Sequence, residues 1–144
     1  GENSAKIDIN YLNELYGKKT NAEIEVVGAL NGSSEKSFKG TINFKKGCQK
    51  SYGSETEFCT LLSKDAKSKA LPMLLCTEED VDGKHSTATG QIDDKQMFYL
   101  MSRGLNQKEA QKLILKTKFN TIINSLFDDK LKEIILNTID RKFE

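Results

Sequence analysis

The chain has 144 residues, 22 lysine and arginine against 21 aspartate and glutamate, a net charge of +1, 37% hydrophobic and 30% charged residues. This is the balance of one soluble globular domain, and it gives no electrostatic ground for a nucleic-acid or other polyanionic partner. No apolar run approaches the roughly 20 residues of a membrane span, and "GENSAKIDIN" lacks the basic and apolar regions of a signal peptide, so the sequence predicts a cytoplasmic protein away from the membrane.

In chain order, the first half reads as strands. "AEIEVVGAL", "SFKGTINF", "TEFCTLL" and "LPMLLCT" are rich in β-branched, aromatic or aliphatic residues, and turn chemistry such as "NGSS" and "KKGCQKSYGS" separates them. Phe38, Ile42 and Phe44 share one parity while Ser37, Lys39, Thr41 and Asn43 share the other, the period-two mark of a strand with one buried face. Recurrence at roughly 15 to 20 residues suits either a rung of a β-solenoid or a meander, and the repeat is too degenerate to choose. Cys48, Cys59 and Cys76 are odd in number and contain no CxxC pair. They support neither a disulfide framework nor a four-cysteine zinc site, and they read as small buried hydrophobes in a reducing compartment.

The stretch from Asp80 to Gly104 carries the only histidine, His85, and changes from an extended to a helical pattern. Asp93 with Gln96 reads as a helix start, Met97, Phe98 and Met101 as an apolar stripe, and Gly104 as a stop. Asn106 with Glu109 repeats the capping logic before Ala110, Leu113, Ile114 and Thr117. Phe119, Ile122, Ile123 and Leu126 then resume out of phase, which predicts a bend or break near Lys118. A last helix starts after Asp128 or Asp129. Its Leu131, Ile134, Ile135, Thr138 and Ile139 form a face that should be buried, on the chain itself or in a partner's groove. One histidine with no GxSxG elbow, P-loop or HExxH pair argues against an enzyme. The lysine-rich "INFKKGCQKSYG" and "KDAKSKA" read as solvated loops. A single histidine on a strand is either a structural hydrogen-bonding residue or an imidazole ligand for a metal such as iron.

The run from Leu71 to Ile114 resembles the C-terminal part of SufB/SufD proteins, scaffolds for iron–sulfur cluster assembly in the SUF system. The resemblance rests on Pro72, Asp80-Val81, His85, Thr87-Ala88-Thr89-Gly90, Asp93, Phe98-Tyr99-Leu100, Arg103-Gly104 and Glu109-Ala110, in order and at matching spacing. It extends upstream to Phe38 and more loosely to both ends. The resemblance implies a right-handed parallel β-helix over residues 1–92 and a small helical region over 93–144, in a family whose members are longer at the N-terminal side. The chain therefore reads as a C-terminal segment or a compact relative.

It also implies pairing, through strands near the end of the β-helix, with a SufB/SufD-like partner or a second copy. The helices would dock a SufC-type ABC ATPase. Phe98, Tyr99, Arg103, Leu113 and Ile114 are candidate contacts, each with internal packing as the alternative. His85 matches a histidine of SufD-type members and is the candidate metal ligand, with Cys59 and Cys76 as weaker ones. SufB-type members carry a cysteine in the acidic turn after the Leu-Leu strand and a glutamate just after the histidine. Here "SKDAKSKA" has no cysteine and Ser86 follows the histidine. The chain thus looks SufD-like, a non-catalytic scaffold with no stably bound cofactor and at most a transient iron–sulfur cluster. The alternative is a structural interaction module that binds no cluster.

Overall fold

A computed structural model describes residues 1–143 of the chain. Six strands come first: β1 Lys6–Leu15, β2 Asn21–Leu30, β3 Glu35–Phe44, β4 Ser51–Leu61, β5 Lys67–Cys76 and β6 Val81–Gln91. Three helices follow: α1 Asp94–Ser102, α2 Gln107–Ser125 and α3 Asp129–Arg141. The chain is thus mainly β with C-terminal helices, and it divides into one compact unit over Gly1–Gly90 and a second beginning at Gln91.

The strands form two three-stranded sheets, ordered β1-β3-β5 and β2-β4-β6, with parallel pairing of β1 to β3, β3 to β5 and β2 to β4. Each strand therefore pairs with the next but one, which rules out the meander. Lys6 pairs with Glu35 and Glu35 with Lys67, so the advance is 29 residues in one step and 32 in the next. That unequal advance hides the repeat from the sequence. β1 lies outside the expected strands, and β4 begins at Ser51, inside a stretch that reads as turn.

Packing follows the parity of β3. Phe38, Ile42 and Phe44 are fully buried and cluster with Leu15, Ile24 and Cys48. Each large side chain so buried contributes about 1.5–3 kcal/mol. The register places Ile9, Phe38 and Ala70 side by side, and likewise Leu15, Phe44 and Cys76. Thr41 is also buried although it lies on the opposite face, level with Leu12 and Met73.

β5 and β6 each pair on one side only, so both are edge strands. Alternate amides of a strand point to opposite edges. Lys67 and Thr77 donate their N–H groups to Ser34 and Phe44 of the neighbouring strand. Even-numbered amides of β5 therefore face outward, and position 72, the chain's single proline, has no N–H to offer there.

The helix ends are local chemistry. Asp93 accepts from the amides of Lys95 and Gln96, Asn106 and Glu109 make a reciprocal capping box, and Asp128 caps α3. Gly104 sits at φ +99, the left-handed conformation of a helix stop. One expectation is corrected. α2 runs unbroken through Lys118, because the phase shift of the apolar residues changes which side is covered without removing a backbone hydrogen bond. α3 buries no residue, and Leu131 and Ile134 on its apolar face are exposed. No helix among the described residues is long and apolar enough to cross a membrane.

Candidate functional site

Inward-facing residues of β4 are unlike those of β3. Ser51, Gly53, Glu55, Glu57 and Cys59 are buried, whereas Phe58 on the other face is 47% exposed. Hydropathy alternation alone would orient this strand the other way. The reason lies opposite, on β3, where Lys36 shares the inward parity of Phe38, Ile42 and Phe44. A buried ammonium requires an anion, and the Lys36 Nζ donates to Glu57 Oε1 inside the unit. Gly28 lies beside the pair, within ordinary contact distance of it. A Cβ there would stand 3.5 Å from Cys59 Sγ and 3.6 Å from Lys36 Nζ.

Glu55 has no such cation. It is 0% exposed, and neither carboxylate oxygen makes a well-formed hydrogen bond. Gly40 faces it so closely that any Cβ at that position would overlap the carboxylate. Burial pushes the Glu55 carboxyl above its ordinary value of 4.5, and the Met73 amide and the charge of His85 offset that only in part.

His85 sits on exposed β6. Two residues before it, Gly83 faces inward, since a Cβ there would meet Leu74 Cδ1 at 3.1 Å and Phe44 Cε2 at 3.2 Å. Side chains alternate along a strand, so His85 belongs to the same inward row.

The structure does not bring the three sequence-predicted ligands together. Gly40 is level with Pro72 and faces Glu55. Cys76 lies four residues past Pro72 along β5, and Cys59 four residues past Glu55 along β4, about 13 Å in each case at the usual strand rise. β4 runs back against β3, with Gly53 opposite Ile42 and Phe44 and Glu57 opposite Lys36, so the two thiols are displaced in opposite directions. Cys48 and Cys59 are buried as expected, but Cys76 is exposed. Among the described residues no three of His, Cys, Asp and Glu gather closely enough to hold a metal ion. Glu55 was missed by sequence reasoning. The available signal was Lys36 on an inward parity, with two glutamates at spacing two on the strand that folds back over it.

In the helical unit, Phe98, Tyr99 and Leu113 are exposed and Ile114 is buried, which removes Ile114 as contact surface. Arg103 is exposed, its guanidinium 5.4 Å from the Tyr99 ring centroid, and makes no ion pair with Asp93 or Asp94.

Residues 1–118 match the family model of the SUF system FeS cluster assembly SufBD core domain. The chain belongs to the SufB/SufD family. It is SufD-like: it is 30% identical over 127 residues to the iron–sulfur cluster assembly protein SufD of Bacillus subtilis (strain 168), covering 88% of this chain and 29% of that protein. It is 35% identical over 105 residues to SufD of Escherichia coli (strain K12), covering 73% of this chain and 25% of the relative. A SufBD family protein of Mycobacterium leprae is 31% identical over 83 residues, 57% of this chain and 21% of its own length. The chain thus spans about a quarter to three tenths of the SufD proteins it matches.

The carboxyl groups give this SufD-like chain a testable pH response. Glu55 has a raised folded pKa, so its favourable contribution is complete below 4.5 and is lost as pH rises through the folded value. Glu14 beside Lys45, Glu35 beside Lys67, Glu78 on the Gly47 amide and Asp140 beside Lys112 are held below their ordinary 4.5 or 3.8, and their contributions are lost as pH falls. In metal-free buffer, Glu55→Gln removes the decline above 4.5 and leaves the acid limb unchanged. Urea unfolding at a series of pH values reads both limbs.

Proposed function

We propose that this chain is a non-catalytic, cytoplasmic scaffold component of SUF-type iron–sulfur cluster assembly, and that its two sheets are coils of a right-handed parallel β-helix. In this reading it pairs edge to edge with a SufB/SufD-like partner or a second copy, docks a SufC-type ABC ATPase through its helices, and presents His85 toward a cluster that is cargo and not a resident cofactor. One observation carries the pairing: of the two edge strands at the end of the sheets, β5 lacks an outward N–H at Pro72, whereas β6 contains no proline. An incoming strand therefore finds a continuous ladder on β6, the strand that holds His85.

The ligand set fits a shared cluster better than one held by this chain alone. His85 is an exposed imidazole, and no third ligand stands near it among the described residues, so a partner must supply the thiolates. Exposed Phe98, Tyr99 and Leu113 supply apolar surface on the helical unit, with the Arg103 guanidinium over the Tyr99 ring beside them.

Light scattering on the chain alone and with the SufC-type ATPase of the same genome tests the reading. The expected result is a dimer that gains the mass of the ATPase. Tyr99→Ala with Leu113→Ala abolishes that gain, and His85→Ala leaves both masses intact while lowering cluster maturation in the assembled complex. A monomer that ignores the ATPase overturns the reading for this length of chain.

A further inference from the structure

The interior of the strand unit contains two glutamates from one strand, two residues apart, and only one cation for them. Lys36 answers Glu57. Glu55 is as deeply buried, its carboxylate has no partner of good geometry, and Gly40 keeps open the space it occupies. A carboxylate is an acceptor only, and a buried carboxyl group holds a proton, pairs with a cation or coordinates a metal. Gly53 on β4 and Gly83 on the neighbouring β6 both face the Phe44 ring, and Glu55 and His85 follow them by two residues each, so the exposed His85 is level with Glu55 on the same inward row. A buried oxygen donor and an exposed imidazole therefore occupy level positions on neighbouring strands at the end of the sheets, one on β4 and one on β6.

We propose that Glu55 is a second protein ligand, with His85, for a divalent cation of the iron or cobalt class, leaving the remaining positions to water or to a partner's side chains. A mixed carboxylate and imidazole set suits Fe(II) and Co(II) better than Mg(II) or Ca(II), which favour oxygen alone. Binding forms two coordinate bonds to donors already present and releases any proton they carry. No redox partner is needed. The inference rests on the reading of His85 as a metal ligand and adds the inner half of the site, which explains why a carboxylate is kept at a position where a glycine must make room for it.

The test is an anaerobic titration of the purified, metal-free chain with Co(II), followed by visible absorption, on the wild type, Glu55→Gln, His85→Ala and the double variant. Thermal melts by circular dichroism run alongside, and Glu55→Asp replaces Glu55→Gln if the latter does not fold. The expected result is that each single variant weakens binding at least about tenfold and that the double variant loses less than the product of the two single losses, as for two ligands of one ion. Wild-type affinity in Glu55→Gln with loss in His85→Ala overturns the inference while leaving His85 a ligand. Wild-type affinity in His85→Ala overturns the pair and the reading of His85 together, and so does a wild type that binds no Co(II).

Discussion

Lys36→Met destabilises the strand unit by about 3–5 kcal/mol, because it leaves Glu57 charged in an interior that offers no other cation. Glu57→Leu is expected to cost a similar amount by stranding the ammonium. Attraction between the two groups is not the main reason. Most of the loss is the unanswered desolvation of the survivor, so Lys36→Met combined with Glu57→Leu should return to within about 1 kcal/mol of the wild type. Urea unfolding followed by circular dichroism measures all four corners of this cycle. Single losses below about 1 kcal/mol would mean that water reaches the pair and that the inward row of β4 is not sealed.

Gly40→Ala should cost about 1–3 kcal/mol, the usual penalty for overfilling a packed interior. The added methyl overlaps the Glu55 carboxylate, and Glu55 lies on a strand packed across from β3 and cannot swing out to solvent. Identity of the clashing group is tested by a second background. In Glu55→Ala the same substitution at Gly40 meets no carboxylate, so its cost should vanish or change sign, since alanine is less flexible than glycine in the unfolded chain. An equal cost in both backgrounds would place the obstruction elsewhere.

How much of this was legible in the sequence depends on whether the signal was local. Phe38, Ile42 and Phe44 announced their own strand and buried face, because one element's alternation is enough to orient it. The caps at Asp93, Asn106 and Asp128 were equally readable, being contacts among residues two or three apart. β4 was not. Its orientation is decided by Lys36, a residue 21 positions from Glu57 and on a different sheet, and hydropathy averaged along β4 points Phe58 inward instead of Glu55 and Glu57. α3 misled in the opposite sense. Its amphipathic face predicts burial, but periodicity says only that a face seeks a surface, not that the described residues supply one. At the site, His85 stood out as the only histidine and through the SufB/SufD resemblance, whereas Glu55 became visible only when Gly40, β6 and the unpaired carboxylate were seen together.

Pro72 also bears on a hazard common to stacks of parallel strands. Such a stack ends in two raw ladders, and a second molecule seated on both would extend them and leave the same two ladders open at its far end, the geometry of a growing fibre. A missing amide in one ladder breaks that symmetry. A molecule arriving end-on finds full hydrogen bonding on one sheet only, so association that stops at a pair is favoured over association that propagates. A single proline in the whole chain, placed on the outer edge of a terminal strand, thus removes one amide from the ladder that end-on growth would need, and β6 contains no proline.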